Sequence, residues 1–152
     1  MATSPDLNTL AVELLVASAR FTRLAARETP NAMPRALWRA LAQLEELGPL
    51  RVSDLAAVDR VSQPTATNLV HKLVERGWVE RTLDPDDARA VRISITDEGR
   101  SALSGSREAA AAALSPRLSR LDARTLRTLD AGVRALRQVL EADHPATVSE
   151  DT

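Results

Sequence analysis

One change of hydrophobic period constrains this chain more than any other feature in it. Most apolar positions recur at helical spacing, but Val91, Ile93 and Ile95 alternate with Arg92 and Ser94, the period-2 pattern of a half-exposed strand. Trp78 to Leu83 is the expected partner strand. Between them, Asp84-Pro85-Asp86-Asp87 has turn chemistry, with Pro to fix φ and Asp to bond its own backbone. Thr96 is placed to cap an Ala-rich helix from Asp97 to Ser115, Asp97 and Glu98 sit where the helix macrodipole is positive, and Pro116 is expected to end it. The expectation is a mostly α fold that carries one small β-hairpin.

The helical stretches lie on either side. Leu7, Leu10, Leu14, Ala17, Phe21 and Leu24 are spaced along one helical seam, closed by Pro30 and Pro34. A second helix runs through Leu37, Leu41 and Leu44 to the stop at Gly48-Pro49. Ser53 is expected to cap a short helix with Leu55, Ala56 and Val58 inward, broken near Val61-Ser62. At the far end Leu126, Leu129, Val133, Leu136 and Leu140 repeat the seam, with Arg124, Arg127, Arg134 and Arg137 on other faces. The two end seams either pack on each other within one chain or interdigitate with a second copy. The polar, acidic tail over 144–152 is expected to be disordered.

The helix before the hairpin is the informative one. Ser62 caps it, Pro64 is tolerated in its first turn and Gly77 stops it. At about 100° per residue, Ala66, Leu69, Val70 and Leu73 share one arc, and Gln63, Thr67, Asn68, His71 and Glu75 share the opposite one. An ordinary solvent face is rich in Glu and Lys. This one has Gln, Thr, Asn and His, which carry the mixed donors and acceptors that match base edges in the major groove. Its N-terminal N–H groups can also hold a phosphate. A short helix and turn before it, and a hairpin after it, make a helix-turn-helix with a wing.

Composition removes the main rivals. The 152 residues include no Cys and only His71 and His144, which excludes thiol chemistry, disulfides and a Cys/His zinc site; no metal and no cofactor are expected. With five scattered glycines there is no phosphate cradle, and no spacing supports a catalytic triad, so the chain does not read as an enzyme. No run of about 18 apolar residues suits a bilayer, and without a secretory leader pattern the expected location is the cytoplasm. The charge is the one objection to a polyanion partner, with 20 Lys and Arg against 21 Asp and Glu. From Arg60 to Arg92 there are six basic and five acidic residues. Bulk attraction is therefore weak, and binding must rest on specific contacts and helix N-termini.

Residues 50 to 103 resemble the winged helix-turn-helix of the MarR family of bacterial transcription regulators. The resemblance is carried by Leu50-Arg51-Val52-Ser53-Asp54-Leu55-Ala56, by Ser62 to Val70, by Leu73 to Arg81, by Asp84 to Ala90, and by Ile95-Thr96-Asp97-Glu98-Gly99-Arg100. It implies a homodimer on double-stranded DNA, a helical dimerisation region from 1–33 and 100–143, and a winged helix-turn-helix module over 34–99. It further implies a pseudo-palindromic operator, repression by default, and release by a small aromatic or anionic ligand. Recognition contacts fall on Ser62, Gln63, Thr65, Thr67, Asn68, His71 and Lys72. In the wing Arg89 enters the minor groove, where the potential is most negative, and Asp87 orients it. Arg60, Arg76 and Arg81 are divided between phosphate contact and solvated charge. The implied effector site would draw on Arg20, Phe21, Arg35, Trp38 and Arg39, although a lone Trp on an apolar helix face suits the core equally. Lacking Cys and clustered His, the chain departs from peroxide-sensing and zinc-sensing branches of the family. The rival class is a winged-helix dimer that contacts protein and not DNA.

Overall fold

The computed structural model describes residues 6–85 and 87–141. Asp86 of the turn, His144 and the tail over 144–152 lie outside the described residues. The chain divides into two compact units, 1–113 and 114–152. Length limits how much surface can be buried, and no residue of the last helix is buried.

In the first unit, α1 (Leu7–Glu28) starts at Asp6, whose carboxylate accepts from Thr9 N–H at 3.0 Å and from the Thr9 hydroxyl at 2.6 Å. None of its residues is buried, so the apolar seam read from the sequence is uncovered in the single chain. α2 (Arg35–Leu47) follows Pro34 and ends at Gly48, which takes the positive φ of 77°. Its Leu37, Ala40, Leu41 and Leu44 enter the core. There they meet Leu55 of α3 (Val52–Asp59), Leu69, Val70 and Leu73 of α4 (Gln63–Glu75), and Leu103 of α5 (Asp97–Leu118). An ion pair from Arg107 to Glu45 at 2.8 Å ties α5 to α2.

A strand not foreseen from the sequence, β1 (Leu50–Arg51), joins β2 (Val79–Asp84) and β3 (Asp87–Ile95) in a three-stranded antiparallel sheet of order β1-β3-β2. Two residues are too short for a period to show. Because β3 is central, Ile93 and Ile95 are buried, while Val91 near the tip is exposed. Trp78 lies outside the strand and packs half-buried against the core.

Three further expectations are corrected. The short helix begins one residue before Ser53: Arg51 leaves the sheet as its N-cap, and its N–H donates to Asp54 Oδ2 at 3.3 Å. Val58 is exposed rather than inward, because the buried arc runs through Leu55 and Ala56 to Asp59, whose side chain is fully buried against Arg39. Pro116 does not end α5. Its ring lacks the N–H that would bond back into the helix, yet the helix runs on to Leu118 and Ser119 N–H donates to Ser115 O at 2.9 Å.

The second unit contains the end of α5 and α6 (Ala123–Glu141). Asp122 precedes α6 and accepts from Thr125 N–H at 2.9 Å and from its hydroxyl at 2.8 Å. No residue of α6 is buried, so Leu129, Val133 and Leu140 stand in solvent along the expected seam.

Candidate nucleic-acid interface

Helices α3 and α4 are joined by a tight turn. Arg60 adopts the left-handed conformation (φ 52°), its N–H donates to Ala57 O, and Val61 N–H donates to Ala56 O. The turn is thus a helix C-cap built without glycine, which costs about 1 kcal/mol for a non-glycine residue. Arg60 is therefore fixed by backbone geometry whatever its guanidinium does.

On α4, Ala66, Leu69, Val70 and Leu73 are all buried. Ser62, Gln63, Thr65, Thr67, Asn68, His71 and Lys72 are all exposed. The side chains differ in how freely they can meet a ligand. Ser62 Oγ lies 2.8 Å from Thr65 Oγ1 and accepts from Thr65 N–H at 3.3 Å, and Thr67 Oγ1 donates to Gln63 O at 2.9 Å. His71 Nδ1 lies 3.4 Å from Glu75 Oε1, an exposed pair of small worth. The side chains of Gln63, Asn68 and Lys72 have no hydrogen bond or ion pair among the described residues. The N-terminus of α4 offers less to an anion than its sequence position suggests, since Pro64 has no N–H and that of Thr65 is taken by Ser62.

The wing follows. β2 and β3 pair from Val79 with Ile95 to Leu83 with Val91, and the register then jumps to Asp84 with Asp87. Arg89 is exposed near the tip, and its guanidinium has no partner among the described residues. Asp87 does act on Arg89, but through the main chain: Oδ1 accepts from Arg89 N–H at 3.0 Å. Arg76, exposed, stacks 5.6 Å from the Trp78 ring centroid and donates from Nη1 to Lys72 O.

Two buried carboxylates were not legible as such. Asp59 receives Arg39 Nε at 2.8 Å and Nη2 at 3.2 Å, a bidentate pair between α2 and α3. Asp84, read from the sequence as a turn residue, receives Arg51 Nε at 2.7 Å and Arg92 Nε at 3.1 Å, with its own side chain fully buried. The hydrogen bond to Asp84, and then the charge of Asp84, raise the Arg51 pKa above its ordinary value. Partners 33 residues apart leave no spacing to read.

The residues expected at an effector site divide. Arg20 and Phe21 line an open depression made by α1 alone, Arg35 is exposed at the start of α2, Trp38 packs against the core, and Arg39 is committed to Asp59.

Comparison with known proteins gives this geometry a family. The family model for MarR matches residues 33–91. An HTH-type transcriptional regulator of Mycobacterium bovis, Mb0904, is 30% identical over 114 residues, covering 74% of this chain and 80% of the relative. The chain belongs to the MarR family. The Bacillus subtilis HTH-type regulator YpoP is 37% identical over 60 residues, and that match spans 40% of this chain and 43% of YpoP. Among solved structures, the Thermotoga maritima transcriptional regulator Tm0710 aligns with a TM-score of 0.70 at 22% identity, covering 90% of this chain and 96% of that one. A mutant of Staphylococcus aureus MepR bound to an oligodeoxyribonucleotide aligns at 0.59 and 17% identity over 86% of this chain and 97% of its own. As a MarR-family member the protein is a transcription regulator with a DNA-binding winged helix and not an enzyme. Among the described residues, no helix is long and apolar enough to cross a membrane.

Proposed function

We propose that this MarR-family chain is a cytoplasmic, homodimeric repressor that reads a pseudo-palindromic operator. The outer face of α4 enters the major groove, with Gln63, Asn68 and Lys72 as its principal contacts and Ser62, Thr65, Thr67 and His71 around them. Arg89 enters the minor groove from the wing. One observation carries this reading: α4 buries its apolar arc and leaves the polar reading face exposed, with Gln63, Asn68 and Lys72 uncommitted within the described residues. A second copy accounts for the uncovered apolar faces of α1 and α6, since exposed seams of this length mark interaction surfaces. A small aromatic or anionic effector is drawn to Arg20, Phe21 and Arg35; Trp38 and Arg39, held by core and by Asp59, shape the site without supplying a free cation. Half-sites lie about one helical turn apart.

Selection of bound duplex from genomic fragments tests the reading, followed by titration of the selected site with Asn68→Ala and Arg89→Ala variants. Each loses roughly 1–3 kcal/mol of binding, while sedimentation shows the dimer unchanged. The near-neutral module also requires weak binding to random duplex with a shallow salt slope. Wild-type operator affinity in both variants refutes the assignment and favours a protein-contact role.

A further inference from the structure

The pairing of β2 with β3 skips the residue that matters. After Leu83 and Val91 the register jumps to Asp84 and Asp87, so Ala88, Arg89 and Ala90 have no Cα partner on β2 among the described residues. The ladder therefore does not fix where Arg89 points. What lies at the jump is Asp84, the last residue of β2, with its carboxylate inside the protein and two guanidinium groups on one of its oxygens.

The two cations are cross-strand partners, Arg51 on β1 opposite Arg92 on β3. Like charges directly opposite repel, and the Asp84 carboxylate between them converts that repulsion into a clamp. Burying the carboxylate carries a desolvation cost that such pairs often fail to recover as stability, and the attested return is a defined geometry. Here the geometry is that of the wing. Arg51 is also the N-cap of α3, the first helix of the helix-turn-helix. A continuous path runs from α3 through Arg51 to Asp84, across the register pair to Asp87, and from the Asp87 carboxylate to Arg89 N–H.

We propose that Asp84 is a positioning residue for DNA reading: by gripping Arg51 and Arg92 it sets the wing's angle to the helix-turn-helix, so that Arg89 reaches the minor groove while α4 occupies the major groove. This rests on the DNA-reading assignment above, and it makes Asp84 and Arg51 determinants of operator affinity without contact to a base.

The test uses the full-length protein and its selected operator. Asp84→Asn keeps the shape and removes the charge. It is expected to weaken binding about tenfold, within the range of a single lost contact, and to lose hydroxyl-radical protection in the minor groove beneath the wing while methylation protection in the major groove persists. The double variant Asp84→Asn/Arg89→Ala binds no more weakly than Arg89→Ala alone, because both act through one contact. Arg51→Gln, which leaves Asp84 its Arg92 partner, shows the same groove-selective loss in milder form and serves if Asp84→Asn fails to fold by circular dichroism. Additive losses, or protection lost equally in both grooves, overturn the clamp. Arg89→Ala weakened with Asp84→Asn and Arg51→Gln both at wild-type affinity overturns the clamp alone, whereas Arg89→Ala at wild-type affinity overturns the wing reading beneath it.

Discussion

Gly99→Ala and Gly105→Ala are the same change on the same helix, and they are expected to have opposite signs. In a helix interior, Ala is favoured over Gly by about 1 kcal/mol. At Gly105 nothing lies within 4 Å of the added Cβ, so that gain is expected nearly whole. At Gly99 the new Cβ would stand 2.1 Å from the Trp78 carbonyl oxygen and 2.9 Å from Ile95 Cγ1. Trp78 cannot easily retreat: its carbonyl accepts from Thr96 N–H at 3.0 Å, and its own N–H donates to Leu73 O at 3.0 Å. The backbone must yield by about an ångström, and overpacking of this kind costs about 1–3 kcal/mol. Against a fixed carbonyl the upper part of that range applies, so after the propensity gain the net loss is about 1–2 kcal/mol. For a chain of this size that lowers Tm by about 3–6 °C, and Gly105→Ala raises it by about 2–4 °C. Thermal unfolding by circular dichroism at one fixed protein concentration reads both, the fixed concentration removing any contribution from association. A Gly99→Ala variant as stable as wild type refutes the close approach of α5 to the root of the wing.

Two further outcomes follow from the buried and capping carboxylates. Removing Arg39 leaves Asp59 a buried charge without its partner, at a cost of about 3–5 kcal/mol. Asp59→Ala leaves a guanidinium already 42% exposed, which water can solvate, so urea unfolding should rank Arg39→Ala well below Asp59→Ala in stability. The pKa values of Asp6 and Asp122 are lowered from the ordinary 3.8, at Asp6 chiefly by the Thr9 hydroxyl and at Asp122 chiefly by Thr125 N–H. A lowered folded-state pKa contributes stability present above 3.8 and lost as pH falls through the folded value. Helicity should therefore decline in that acid window in wild type. In Asp6→Ala/Asp122→Ala it should start lower at neutral pH and decline less, and equal acid titrations would refute the caps.

The parts of the fold that read well were those whose signal is local. The α4 boundaries were legible because Ser62, Pro64 and Gly77 each act within one turn of the chain, and its buried arc because Ala66, Leu69, Val70 and Leu73 repeat at the helical period. The wing followed from the alternation of Val91, Ile93 and Ile95. Where a local rule failed, a tertiary partner had overridden it. Ser53 lost the cap to Arg51 because Arg51 is also a strand residue, and Val58 lost its inward place to Asp59 because Arg39 neutralises a carboxylate there. The candidate reading face was likewise legible as a set of residues, but which of them stay uncommitted was not, since the Ser62–Thr65 contact and the bond from Thr67 depend on rotamers.

The sequence by itself determined the class of molecule: a Cys-free, nearly neutral chain of helices around one hairpin, with a polar helix face suited to base edges and one arginine near the wing tip. Only the tertiary structure decided what holds that arginine in place. The clamp on Asp84 joins residues 33 positions apart through a carboxylate that no period or spacing marks, because burial and pairing of a charge are properties of the folded neighbourhood and not of the chain around it.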